Sequence, residues 1–192
     1  MMAASAKADI HNVLKATVKL RTLKEGETNK YYTSTAFAVV NNGEKIYFLT
    51  AGHSVNSRKT VEVESRWYRP RVWTKAKVEW FILEGNNKDV AIISINIKDA
   101  PFLKDMPRLS LRPNKPKWQQ KIITYGHPKG GHPTLYWGTV SRSDDNNIYI
   151  YPHGKKGRSG SAVLDIDGEG VYGILTKEGG QCITIKRVLE LA

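Results

Sequence analysis

The chain has 192 residues, 40% hydrophobic and 25% charged, which can bury a core and excludes wholesale disorder. Its net charge of +12 points to acidic partners: nucleic acid, an anionic membrane or an acidic peptide. One cysteine, Cys182, excludes an intramolecular disulfide, and no apolar run is long enough to cross a bilayer. Met1 to Ile10 lacks the apolar core of a signal peptide, so the expectation is a cytoplasmic protein that is not secreted.

In chain order, short β-branched and aromatic runs predict strands at 13–20, 33–40, 45–50, 60–66, 71–83 and 90–95. Asn41-Asn42-Gly43 and Gly85-Asn86-Asn87 are turn signals between them. Residues 100–116 hold four of the eight prolines, which cannot donate to a sheet ladder, so this stretch is an extended connector. Strand signals resume at 121–125, 134–141, 147–151, 161–165, 170–175 and 181–185. Only 184–191 has a helical look, and residues 1–9 are expected to fray. Six strands, a linker and six strands predict an all-β fold of two six-stranded antiparallel β-barrels with a short C-terminal helix. The expected division is 10–97, a linker over 98–117, and 118–192.

Three segments carry chemistry. His53 follows the apolar strand Phe48-Leu49-Thr50, and a histidine at a strand end is, taken alone, more often a surface residue. Asp89 precedes the buried run Val90-Ala91-Ile92-Ile93, where a turn residue binding backbone amides would also sit. Ser159 lies in Gly157-Arg158-Ser159-Gly160-Ser161, where glycines allow a tight turn and close approach of backbone N–H groups to a substrate oxygen. In the order His53, Asp89, Ser159, the first two fall in the first half and the third in the second. A cleft between two barrels would then hold a catalytic triad.

Taken together, these segments resemble the trypsin/chymotrypsin-like serine protease superfamily. Leu49-Thr50-Ala51-Gly52-His53 is similar to its Leu-Thr-Ala-Ala-His, and Asp89-Val90-Ala91-Ile92 to its Asp-Ile-Ala-Leu. Gly157-Arg158-Ser159-Gly160-Ser161 is similar to its Gly-Asp-Ser-Gly-Gly. Tyr125-Gly126-His127-Pro128-Lys129-Gly130 resembles bacterial high-temperature-requirement proteases. Arg158 stands where trypsins carry aspartate, and no activating Ile-Val-Gly-Gly terminus is present. The single cysteine and the expected lack of a PDZ-like extension favour a resemblance to the polyprotein-processing proteases of positive-strand RNA viruses, such as sobemoviruses, astroviruses and flaviviruses.

The resemblance implies a serine endopeptidase acting on a polypeptide, with the triad His53, Asp89 and Ser159. The backbone N–H groups of Gly157 and Ser159 would form the oxyanion hole, with no metal or cofactor. It places the base of the specificity pocket at His153 and its wall at Thr176, Lys177 and Glu178. A histidine base with Lys155, Lys156 and Lys177 nearby favours an acidic or polar residue before the cut, while Glu178 opposes it. An alternative class stays open. Residues 58–80 interleave Arg58, Lys59, Arg66, Arg69, Arg71, Lys75 and Lys77 with Trp67, Tyr68, Trp73 and Trp80. This reads either as an RNA-binding surface, alone or beside proteolysis, or as an amphipathic hairpin. A second alternative is a high-temperature-requirement-type bacterial protease.

Overall fold

The computed structural model describes residues 10–55, 57–85, 87–152, 158–177 and 179–192, so the expectation of a frayed 1–9 lies outside the described residues. The chain begins with helix α1 (Ile10–Ala16) and continues through β1 (Thr17–Leu23), β2 (Tyr31–Asn41), β3 (Lys45–Thr50), β4 (Thr60–Ser65), β5 (Thr74–Leu83) and β6 (Asp89–Asn96). These six strands close into an antiparallel barrel in the order β1-β2-β3-β6-β5-β4. The second barrel is built from β7 (Lys121–Gly126), β8 (Thr134–Ser143), β9 (Asn147–Tyr151), β10 (Ala162–Asp165), β11 (Val171–Leu175) and β12 (Gln181–Thr184), closing in the order β10-β11-β12-β9-β8-β7. Helix α2 (Ile185–Leu191) follows, with the Thr184 hydroxyl accepting from the Arg187 N–H at 3.1 Å as its cap. The expected double barrel is therefore the fold.

Period-two alternation builds the walls. Along β1, Val18 and Leu20 are buried, while Lys19 and Arg21 point outward. Strand β6 is buried almost throughout because it lies between β3 and β5, and this is why its sequence is a continuous apolar run. One core gathers Leu20, Phe37, Phe48 and Ile93 from the first barrel with Ile123, Leu164 and Ile174 from the second. Each such side chain contributes about 1.5–3 kcal/mol of burial, so this shared core joins the barrels. A smaller cluster, including Ile148, Val163 and Leu175, fills the second barrel.

Two expectations need correction. Residues 13–16 are helix, not strand: Ile10, Val13 and Leu14 fall at helical spacing on the core, and the Thr17 hydroxyl donates to the Val13 carbonyl at 2.7 Å. The connector is only partly extended, with 3-10 turns at Ile97–Asp99 and Pro101–Leu103. It is also stitched to both barrels, Leu109 N–H donating to Ala38 O and Arg112 N–H to Val171 O, each at 2.8 Å. Arg112 donates to Asp165 Oδ2 at 2.8 Å and to the Tyr172 hydroxyl at 3.1 Å. Among the described residues no helix is long and apolar enough to cross a membrane.

Candidate active site

His53 lies in the 3-10 turn Gly52–Ser54, directly after β3. The turn rests against β6 because Gly52 has no side chain. A Cβ there would overlap the Ile82 carbonyl and stand 3.0 Å from the Val90 nitrogen and 3.1 Å from Asp89 Oδ1. Close approach lets the His53 N–H donate to Asp89 Oδ1 at 2.8 Å, while His53 Nδ1 lies 2.7 Å from Asp89 Oδ2. A carboxylate only accepts, so Nδ1 carries the proton and Nε2 keeps its lone pair. Asp89 is 4% exposed and the His53 side chain 42%, so the pair has one buried and one open end. Asp89 thus binds a backbone amide, as a turn residue would, and orients an imidazole with the same carboxylate.

Ser159 occupies the turn that precedes β10. The Ser161 N–H donates to the Arg158 carbonyl at 3.0 Å, and Gly160 has φ +87°, as the third residue of a type II turn requires. The turn is fixed on both sides: Gly160 N–H donates to Leu175 O at 2.7 Å, and Thr35 N–H to Ser159 O at 2.9 Å. A Cβ on Gly160 would overlap the Thr35 carbonyl and the Thr50 hydroxyl. The serine turn of the second barrel therefore rests on β2 and on the end of β3, three residues before His53. The Ser159 hydroxyl donates to the Thr176 carbonyl at 3.5 Å, and among the described hydrogen bonds none joins Ser159 to His53.

Of the expected pocket residues, Thr176 is buried and its hydroxyl donates to Gln181 O at 3.1 Å, while Lys177 is exposed. His153, Lys155, Lys156, Gly157 and Glu178 lie outside the described residues, and with them the oxyanion hole and pocket base. Two neighbours escape a reading of the sequence. Thr35 carries no motif, and its role exists only once the barrels dock. Arg158 is 1% exposed, its guanidinium 3.6 Å from the Tyr136 ring centroid, with Nε and Nη2 lacking hydrogen-bond partners among the described residues. Burial lowers its pKa to about 10. The sequence signal was the reversal of charge just before the serine. The lone thiol, Cys182, is wholly buried, and burial raises its pKa far above the ordinary value. On the first barrel the Arg21 guanidinium stacks between Tyr31 and Trp73, 4.2 and 4.1 Å from their centroids, and Lys19 also faces Trp73. Trp73 is therefore already engaged within the basic–aromatic stretch.

A His–Asp pair on one barrel facing a serine turn on the other is the layout of a two-barrel serine peptidase. Residues 34–174 match the trypsin-like peptidase domain, and the chain belongs to that family of serine proteases. No curated protein matches it in sequence. Among solved structures it is similar to the Rv3671c protease of M. tuberculosis in its active form, with 18% identity and a TM-score of 0.71 over 94% of this chain and 81% of that one. It is also similar to a serine endoprotease from Yersinia pestis, with 18% identity and a TM-score of 0.71. That match covers all of this chain and 65% of the other. The HtrA-type protease AlgW is 21% identical, with a TM-score of 0.72 over 98% of this chain and 62% of its own. The chain spans less than two thirds of the latter two proteins. At these identities the likeness is one of fold.

Proposed function

We propose that the chain is a serine endopeptidase whose chemistry rests on His53, Asp89 and Ser159. The observation that carries this reading is the double engagement of His53 by the buried Asp89 carboxylate, which leaves Nε2 as the open, accepting nitrogen. A rotation of Ser159 about χ1 away from the Thr176 carbonyl turns its hydroxyl toward the cleft. There Nε2 takes the proton as Oγ attacks the scissile carbonyl, and returns it to the leaving amine. Asp89 holds the tautomer and stabilises the imidazolium. The N–H groups of Gly157 and Ser159 donate to the oxyanion, each such donor being worth about 10²–10³ in rate.

The bacterial origin of the similar structures favours a high-temperature-requirement-type protease over a processor of viral polyproteins, for which the comparisons offer no support. An acidic or polar residue before the cut rests on the basic residues that the sequence places at the pocket, His153, Lys155, Lys156 and the exposed Lys177. Labelling with a fluorophosphonate tests the assignment. The wild type reacts at Ser159, and Ser159→Ala neither reacts nor cleaves peptide libraries, its turnover falling by on the order of 10⁶. A Ser159→Ala protein that still cleaves refutes the triad. A library profile rich in Arg or Lys before the cut refutes the acidic preference alone.

A further inference from the structure

On the first barrel's flank, where it meets the β7–β8 connection, lies a cavity of about 240 Å³. Its lining includes Lys19 from β1, Glu64 from β4, Arg66 and Arg71 from the β4–β5 connection, and His127 and His132 from the β7–β8 connection. Lys19, Arg66 and Arg71 form no ion pair among the described residues, so three cations face one carboxylate. Like charges held this close around a cavity repel one another unless an anion enters.

His127 adds a second, independent requirement. It is 3% exposed, and its Nδ1 lies 3.1 Å from the Gly131 carbonyl, which only accepts, so Nδ1 carries the proton. Nε2 is then a buried acceptor with no partner among the described residues, on a residue that lines the cavity. Burial and the charges of Lys19, Arg66 and His132 keep the ring neutral. The cavity therefore asks for a ligand with several anionic oxygens for the cations and one proton to share with Nε2. Phosphate and its monoesters have both: a tetrahedral set of oxygens that guanidinium groups chelate, and a last proton that titrates near neutrality. A fully ionised oxyanion such as sulfate would set oxygen lone pairs against the nitrogen lone pair.

We propose that this cavity is a binding site for phosphate or a small phosphate monoester, with Arg66, Arg71 and Lys19 holding the oxygens and His127 Nε2 sharing the proton. Glu64 is the one opposing charge and sets the site against more diffuse anions.

Inorganic phosphate is titrated into the full chain by calorimetry at pH 6.5 and constant ionic strength, with sulfate and phosphoserine as separate arms. One saturable site is expected, weakened tenfold or more in Arg66→Gln and Arg71→Gln and unchanged in Lys77→Gln, on a different face. His127→Phe should abolish the preference for phosphate over sulfate. The two arginine variants keep the test decisive if that core variant does not fold. Phosphoserine binding as tightly as phosphate identifies a monoester ligand; phosphate binding alone identifies the free ion. Absence of saturation by about 10 mM phosphate, ten times a millimolar Kd, overturns the proposal. Equal weakening by Lys77→Gln, or sulfate binding as tightly as phosphate to the wild type, also overturns it.

Discussion

Replacing Gly160 by alanine tests how the serine turn is held, and Gly43 supplies an internal reference. The two glycines have nearly the same φ, +87° and +84°, in the left-handed region, but nothing lies within 4 Å of a Cβ built on Gly43. Gly43→Ala therefore costs only the left-handed conformation, about 1–2 kcal/mol. Gly160→Ala adds an overlap with the Thr35 carbonyl and the Thr50 hydroxyl, neither of which is a yielding side-chain tip: Thr50 Oγ1 is itself bonded to Thr35 O at 2.7 Å. Relief requires the turn to leave β2, giving up the Thr35 N–H to Ser159 O bond and straining the Gly160 N–H to Leu175 O bond. At about 0.5–1.5 kcal/mol for each bond, Gly160→Ala should cost about 2–5 kcal/mol in all. For a chain of this size each kcal/mol moves the midpoint by about 2–4 °C. Thermal and guanidinium unfolding of both variants measure the difference directly. Fluorophosphonate labelling should fall in Gly160→Ala and stay at the wild-type rate in Gly43→Ala. If the variants unfold within about 0.5 kcal/mol of each other, the spread of neutral surface changes, the inter-barrel contact does not support the turn.

Asp89→Asn should lower kcat by about 10⁴, because an amide that donates can hold the imidazole in the wrong tautomer; a loss under tenfold in a folded variant contradicts the role given to Asp89. His127 has its pKa lowered from 6.5 to about 4, so the unfolded chain takes up its proton first on acidification. Its contribution is full above pH 6.5, is lost as pH falls toward 4, and is flat below. The gap corresponds to about 3 kcal/mol, and denaturant titrations across that window should lose this slope in His127→Phe. Cys182, buried with a raised pKa, should resist iodoacetamide in the native protein and react fully only in denaturant; rapid native alkylation would show that the second barrel opens there.

Much of the architecture was legible because local and global signals agreed. The strands of both barrels, the short C-terminal helix and the order His53, Asp89, Ser159 follow from alternation, local pattern and motif. Helix α1 was not legible: Val13 and the following β-branched residues favour a strand, and only packing of Ile10, Val13 and Leu14 on the core reveals the helix. The tether made by Arg112 was not legible, because Asp165 and Tyr172, which hold it, are more than fifty residues away. The burial of His127 was not legible, because its backbone is tied to Thr35, 92 residues away. Trp67, Tyr68 and Trp73 could be read as exposed bases-stackers or as core, and Trp73 is instead covered by Arg21 and Lys19, a pairing that no linear pattern encodes.

The Thr35 N–H reaches across to Ser159 from the other half of the molecule. During synthesis the half that bears His53 and Asp89 emerges first, and a chain of this kind folds in that order. The serine arrives late, and even then its turn lacks its footing until it settles on β2. Peptidase competence under the proposed mechanism is thus the final event of maturation, delayed until both halves have docked. Under that mechanism a nascent or half-denatured chain holds the imidazole without a correctly seated hydroxyl, which spares neighbouring chains and its own loops from premature cutting.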